Sequence, residues 1–177
     1  FDTYIFSGSA AATNADTIIY NVMYAFYIAC SSFMGQNYGA GNKKRVLRSY
    51  FISLFYSFTI GLILGLLLFI FGHQFLSLFA TDAAVIDAGM QRIKIMAFSY
   101  CFSSFMDCTI AASRGIGKTI IPTIIIIMGS CVFRIVWIYT VFAWIHTIPA
   151  LFLLYLFSWI ITSIAEITYF IIIYRKL

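Results

Sequence analysis

Charged residues are scarce in this chain, and their scarcity excludes a class of protein. Only 10% of the 177 residues are Asp, Glu, Lys or Arg, whereas 63% are hydrophobic. Soluble domains carry about 25% charged residues, so the composition excludes an ordinary water-soluble domain. The net charge of +5 comes from basic residues that gather in short clusters between apolar runs. Loops of membrane proteins show this pattern, and we therefore expect no nucleic-acid partner.

Proline and cysteine are also sparse, and their positions argue against several kinds of site. Pro122 and Pro149 fall near the first turns of predicted helices, where a missing backbone N–H costs little. The four cysteines lie in apolar runs without a Cys-x-x-Cys pair. Cys101 and Cys108 would lie about 10 Å apart along one helix, too far for a disulfide, so we expect packing roles. Because the sequence has no zinc-ligand spacing, Ser-His-Asp set or cofactor loop, we do not expect an enzyme.

Long apolar runs are what the chain has in abundance. Five of them can cross a hydrocarbon core of about 30 Å, which requires roughly 20 helical residues. They cover residues 15–36, 49–72, 92–113, 120–144 and 149–174. The chain opens abruptly at Phe1 without a cleavable signal pattern, so we interpret it as the C-terminal part of a longer protein. The residues before Ser7 then form the end of a truncated sixth span, and the fold class is an all-α integral membrane protein.

The connections between the spans predict an orientation. Eight of the eleven Lys and Arg residues follow the first, third and fifth spans, namely Lys43, Lys44, Arg45, Arg48, Arg114, Lys118, Arg175 and Lys176. Only Arg92 and Lys94 are assigned to the opposite side. The positive-inside rule therefore places these three connections and the C-terminus in the cytoplasm. Residues 81–91 are predicted to form an Asp-capped amphipathic turn on the outer surface.

Polar residues recur at spacings of three and four in three of the spans, so they share one face of each helix. The candidate residues are Tyr100, Ser103, Ser104 and Asp107 in the third span, Asn21 and Tyr24 in the first, and Thr162 and Glu166 in the fifth. Such stripes indicate either a hydrated cavity that the helices line or hydrogen bonds between helices in a dry bundle. For the acidic residues, we expect the hydrated cavity rather than the dry bundle.

Three charges lie deep in apolar spans: Asp107, Glu166 and Arg134. Membrane proteins usually keep such charges to bind or carry something. Burial favours the neutral form of a carboxyl group and a nearby cation favours its charged form, so a carboxyl group between these influences can exchange H⁺ or Na⁺. Ser103 and Ser104 are candidate neighbouring ligands if Na⁺ binds at Asp107. Arg134 is expected to pair with Glu166 on the adjoining span, with Asp107 as the alternative partner.

Two turns on the predicted cytoplasmic side resemble those of a known family. Met34-Gly-Gln-Asn-Tyr-Gly-Ala-Gly-Asn-Lys-Lys-Arg resembles the turn after the second helix of a lobe in the multidrug and toxic compound extrusion (MATE) family. Met106-Asp-Cys, followed by Ser113-Arg-Gly-Ile-Gly-Lys-Thr and Pro122, resembles the end of that family's tenth helix. The motif residues are Gly35, Gln36, Gly39, Gly41, Arg114, Gly115 and Gly117.

This resemblance implies both an architecture and a function. Members of the family have twelve spans in two six-helix lobes, and they exchange Na⁺ or H⁺ for organic cations by alternating access. The chain would then be the C-terminal lobe in a bacterial cytoplasmic membrane, surrounded by membrane lipid and partnered by the N-terminal lobe of the same protein. Its substrates would be small organic cations, with no cofactor beyond the coupling ion. Asp107 matches the tenth-helix acid implicated in cation coupling.

Two other functions stay open at the level of sequence. A lipid-linked oligosaccharide flippase of the same superfamily should line its cavity with several basic residues, whereas only Arg134 lies within a span here. A non-transporting membrane scaffold would use Asp107 for assembly alone. Neither the choice between Na⁺ and H⁺ nor the range of substrates follows from the residues.

Overall fold

The chain folds into five long helices without a strand in the part that the structure describes. The computed structural model covers residues 3–177, apart from the side chain of Ile148. The helices are α1 (Thr3–Gly39), α2 (Lys43–Leu76), α3 (Ala83–Gly115), α4 (Ile120–Ile145) and α5 (Ile148–Arg175). All five are long and apolar enough to cross a membrane. The prediction of an all-α membrane protein with five spans is confirmed.

Helix α1 is longer than predicted, because residues 3–14 continue it without a break. The expected remnant of a sixth span before Ser7 is therefore wrong for the residues from Thr3 onward. Gly8 does not interrupt the helix but lets its backbone approach α3. A Cβ added at Gly8 would lie 2.6 Å from the backbone nitrogen of Gly89. The following Ser-Ala-Ala-Ala run has a high helix propensity, which favours a continuous helix.

Helix α3 also begins earlier than predicted. Asp82 caps it as expected, since its carboxylate accepts a hydrogen bond of 2.9 Å from the backbone N–H of Ala84. The separate surface turn predicted for residues 81–91 is wrong, because residues from Ala83 onward already belong to the spanning helix. Ile86 and Gly89 are buried at a helical spacing of three, so this segment packs against the bundle rather than lying on its surface.

The bundle is organised around α3, which packs against α1, α2 and α5. Small residues bring the backbones close together, as is common between membrane helices. A Cβ at Gly65 would overlap the carbonyl oxygen of Ala97, and one at Gly61 would lie 3.0 Å from the methyl group of Met23. These two glycines form helix contacts, as their Gly-x-x-x-Gly spacing indicates. Most of the buried residues of the chain lie on α1, α2 and α3.

Helix α4 lies at the edge of the bundle and packs mainly on α5. It contains two π-helical segments, residues 127–132 and 138–142. Its buried residues within the described part are Pro122 and Gly129. A Cβ at Gly129 would overlap the hydroxyl of Thr162, and Ser158 donates a hydrogen bond of 2.8 Å to the Gly129 carbonyl. The first π segment of α4 therefore packs closely against α5 and is joined to it by a hydrogen bond.

The predicted alternation of the spans is seen in contacts at one end of the bundle. The Tyr174 hydroxyl donates a hydrogen bond of 3.3 Å to the carbonyl of Lys43. A Cβ added at Gly115 would lie 2.8 Å from the Cβ of Met34. The ends of α1, α3 and α5 therefore lie together with the start of α2. We call this the basic end; it carries Lys43, Lys44, Arg45, Arg48, Arg114, Lys118, Arg175 and Lys176.

Candidate functional site

Asp107 borders two adjoining cavities. The first cavity has a volume of about 610 Å³ and extends towards the basic end, where Arg114 forms part of its wall. The second cavity has a volume of about 400 Å³ and extends in the opposite direction, towards Arg92. Tyr20 of α1 and Asp107 of α3 line both. The acid therefore sits where the two cavities meet.

The walls of both cavities are largely aromatic and apolar. The first is lined by Tyr20, Tyr24, Tyr27, Ile28, Ser31, Ser32, Asp107, Ile110, Ala111, Arg114 and Ile126. The second is lined by Asp16, Thr17, Tyr20, Met23, Arg92, Met96, Tyr100, Ser103, Met106, Asp107, Ser130, Arg134, Tyr155 and Trp159. Residues of α1, α3, α4 and α5 contribute to the second cavity, so it lies between the central helices and the peripheral α4.

The Asp107 carboxylate is partly exposed to these cavities. Within residues 3–177, no hydrogen bond or ion pair joins it to another group. Arg114, near the end of the same helix, lines the first cavity together with it. An acid that faces a cavity without a fixed partner is free to bind a mobile cation.

The two serines predicted beside Asp107 are placed differently from each other. Ser103 lines the second cavity together with Asp107, and its hydroxyl donates a hydrogen bond of 2.8 Å to the carbonyl of Tyr100. Ser104 is fully buried, lines neither cavity, and donates a hydrogen bond of 2.6 Å to the carbonyl of Cys101. The structure therefore brings Ser103, but not Ser104, into the same cavity as the acid.

The remaining candidate residues divide between the cavities and the helix contacts. Tyr24 lines the first cavity, whereas Tyr100 and Arg134 line the second. Asn21 is exposed and belongs to neither. Thr162 is buried against Gly129 of α4, and Glu166 is fully buried in α5 without bordering either cavity. On the polar stripe of the fifth span, Thr162 is therefore a packing residue against α4.

The expected pair between Arg134 and Glu166 is wrong. The Arg134 guanidinium lies 4.5 Å from the ring centroid of Tyr155, and its Nε donates a hydrogen bond of 3.3 Å to Ser158. Glu166 follows Ser158 by eight residues, about 12 Å along the helix, which is beyond the reach of the bound guanidinium. Neither carboxylate oxygen of Glu166 has a hydrogen-bond partner in the described part of the chain.

One ion pair was not predicted from the sequence. Asp16 of α1 and Arg92 of α3 form a salt bridge beside the second cavity, with side chains that are 21% and 11% exposed. The Tyr100 hydroxyl donates to the other oxygen of Asp16, and Arg92 also donates a hydrogen bond of 2.7 Å to the Ser9 hydroxyl. The sequence did contain a signal for this pair. Asp16 lies near the start of the first predicted span and Arg92 at the start of the third, so an acid and a base lie near the same end of two apolar spans.

Comparison with known proteins identifies the family. A family model described as MatE matches residues 3–140, which include α1, α2, α3 and most of α4. The chain belongs to the MatE family. The match contains both turn motifs, Asp107 and the Asp16–Arg92 pair, whereas α5 lies beyond it.

Two curated MatE relatives are multidrug resistance proteins by name. The chain is 25% identical over 124 residues to the probable multidrug resistance protein NorM of Thermotoga maritima, an alignment that covers 68% of this chain and 26% of the relative. It is 30% identical over 102 residues to the probable multidrug resistance protein YoeA of Bacillus subtilis, covering 58% of this chain and 22% of that protein. The chain thus spans about a quarter of the length of the relatives it matches.

The two turn motifs of this MatE chain pack on each other. A Cβ at Gly35 would lie 3.1 Å from the carbonyl oxygen of Gly115, so these glycines allow α1 and α3 to approach closely. Gly41 and Gly117 have φ values of 67° and 80°, which favour glycine in the turns that follow the two helices. Gly39 ends α1 without such crowding. The Gln36 amide donates to Ser32 at 3.4 Å.

Proposed function

We propose that this chain is the C-terminal lobe of a secondary active antiporter. The whole protein exports small organic cations, including drugs, in exchange for Na⁺ or H⁺ by alternating access. The observation that carries this proposal is the position of Asp107, an acid without a fixed partner at the junction of two cavities between membrane-spanning helices. Family membership and the names of the relatives support it.

A single carboxylate can couple two cations if both compete for it. When the cavity holds the organic cation, Asp107 balances the charge of the substrate; when the substrate leaves, H⁺ or Na⁺ takes its place. Aromatic rings at the walls, including Tyr20, Tyr155 and Trp159, provide faces on which an organic cation is stabilised by cation–π interactions. Exchange then follows because the organic cation and the coupling ion compete for the Asp107 carboxylate. One carboxylate balances only one of the two positive charges.

If Na⁺ is the coupling ion, oxygen atoms must replace its water ligands. Asp107 and the Ser103 hydroxyl oxygen line the same cavity and supply two of them. If H⁺ is the coupling ion, Asp107 alone carries it. The proposed reaction uses no cofactor, and the N-terminal lobe of the same protein completes the translocation pathway in the membrane.

Replacing Asp107 with Asn tests the proposal. The amide keeps the shape of the side chain but removes the charge that binds the cation. In the full-length protein, gradient-driven drug efflux should fall by about tenfold or more, the scale expected when a tuned carboxylate is lost. Drug uptake into inverted vesicles, which corresponds to export from the cell and is driven in turn by a Na⁺ gradient and by a pH gradient, measures the loss and identifies the coupling ion.

Asp87→Asn is the matched control, because Asp87 is exposed at the start of α3 and lines neither cavity. Its efflux should equal that of the unaltered protein. Undiminished efflux in Asp107→Asn at equal expression would show that the acid is structural, whereas the lack of gradient-driven efflux by the unaltered protein would favour a non-transporting scaffold. A flippase is less well supported, because Asp16 neutralises Arg92 and leaves one base without an acidic partner in each cavity, Arg114 in the first and Arg134 in the second, among the described residues.

A further inference from the structure

A third cavity lies at the basic end, far from Asp107. It has a volume of about 670 Å³ and is formed by the turn between α3 and α4 together with the last turn of α5. We call it the basic-end groove; its walls include Tyr38, Lys118, Ile120, Ile121, Ile172 and Lys176. The first residues of α4 and the last residues of α5 place it at the level where the spans meet the membrane surface.

The charged side chains that line the groove are both positive. Lys118 and Lys176 both line it, and no acidic residue does so within the described chain. The one ion pair in residues 3–177 joins Asp16 and Arg92, so neither lysine has an acidic partner there. The other six basic residues of the basic end add to the positive potential. This positive potential favours the binding of an anionic ligand.

The apolar walls indicate what kind of anion fits. Ile120 is 75% exposed, and Ile121 and Ile172 are about half exposed, so one side of the groove continues onto the lipid-facing surface. A free phosphate ion would gain nothing from these side chains. At Gly117, which also lines the groove, a Cβ would meet no atom within 4 Å, which leaves room beside Lys118.

We propose that the basic-end groove binds an anionic phospholipid. Its phosphate is recognised by Lys118 and Lys176, and its acyl chains lie against the isoleucines of α4 and α5. Basic pockets between membrane helices are suited to such headgroups, and each lysine near an anionic membrane surface contributes about 1 kcal/mol. A lipid here bridges the last turn of α5 and the α3–α4 turn, which both line the groove.

Lipid binding to the full-length purified protein tests the proposal without any measurement of transport. Fluorescent phosphatidylglycerol is titrated into the detergent-solubilised protein, and Lys118→Gln/Lys176→Gln is compared with the unaltered protein. Loss of both lysines should weaken binding about thirtyfold. The control is Lys44→Gln/Arg48→Gln, which removes the same charge from exposed positions of the basic end outside the groove, and it should bind almost normally.

Competition on the unaltered protein separates the sources of the anion and requires no variant to fold. Unlabelled phosphatidylglycerol should displace the probe at much lower concentrations than phosphatidylcholine or water-soluble glycerol phosphate. Equal displacement by glycerol phosphate would overturn the proposal in favour of a free-anion site. Equal displacement by phosphatidylcholine, or an equal loss of binding in the control variant, would also overturn it, because the groove lysines would then have no specific role.

Discussion

Asp16 and Arg92 illustrate how single residues stabilise a membrane bundle. The pair joins α1 to α3, and Tyr100 and Ser9 satisfy further donors and acceptors around it. Opposite charges in an apolar bundle are each costly alone, and a salt bridge with hydrogen bonds reduces that cost. The pair also removes two charges from the electrostatics of the second cavity, which leaves Asp107 and Arg134 as its charges without an ionic partner among the described residues.

We predict that Asp16→Asn or Arg92→Gln alone lowers the free energy of unfolding by roughly 3 kcal/mol, because each variant leaves an uncompensated charge. The double variant should lose less than the sum of the single losses, since no charge is left alone. Thermal unfolding of the three variants in detergent measures this coupling. Strictly additive losses would contradict the pair.

At the same scale, the surroundings of Glu166 could not be predicted from the sequence. The residue was recognised as an intramembrane acid, but its expected partner was wrong because Arg134 is held by Tyr155 and Ser158. A periodic pattern fixes the face of a helix on which a residue lies, but not which group a long side chain reaches on the next helix. The structure shows that Arg134 contacts Tyr155 and Ser158, and that no hydrogen-bond partner reaches the Glu166 carboxylate in the described part of the chain.

At the scale of elements, close helix contacts depend on residues without side chains. α1 and α3 meet at the basic end through Gly35 and Gly115, and α2 and α3 meet through Gly65 and Ala97. Membrane helices pack closely at such small residues because lipid itself is as apolar as a leucine side chain, so that van der Waals contact must provide the attraction. The family motifs therefore have a packing role in addition to forming turns.

We predict that Gly115→Ala destabilises the protein by about 1–3 kcal/mol, the usual cost of an overpacked contact. The added methyl group would lie 2.8 Å from the Cβ of Met34 and 3.1 Å from the Cα of Ser31, so the helices must separate. Gly39→Ala is the matched control, because a Cβ there meets no atom within 4 Å. Unfolding midpoints of both variants in detergent decide the matter, and equal midpoints would argue against the close contact.

At the scale of the whole molecule, charge is distributed very unevenly. Eight basic residues lie at the basic end, whereas Asp82 and Asp87 lie at the start of α3, at the opposite end of that helix. Membrane proteins keep the side richer in Lys and Arg in the cytoplasm. We therefore expect the first cavity to lie nearer the cytoplasm and the second nearer the outside.

We predict that a cysteine replacing Lys44 is protected from an impermeant thiol reagent in intact cells, whereas one replacing Ala84 is labelled. Both positions are exposed, so the membrane alone should make the difference. Permeabilised cells provide the control, because both cysteines should then react. Labelling of position 44 but not position 84 in intact cells would reverse the orientation.

The sequence alone determined the features that depend on local composition. Apolar runs of sufficient length specified five spans, basic clusters marked one end, and Asp107 was conspicuous because a charge within such a run is costly. The turn motifs also identified the family, which the MatE match confirms. These features depend on neighbouring residues along the chain, so they can be read without knowing how the helices pack.

The tertiary structure decided which helix faces which. Asp16 meets Arg92, Thr162 packs against Gly129 and Ser103 shares a cavity with Asp107, and each contact depends on the rotation of two helices about their axes. That rotation is set by close packing at residues such as Gly8, Gly65 and Gly115, whose partners lie tens of residues away. Helical periodicity assigns a residue to a face, but only the packed bundle gives that face its neighbour.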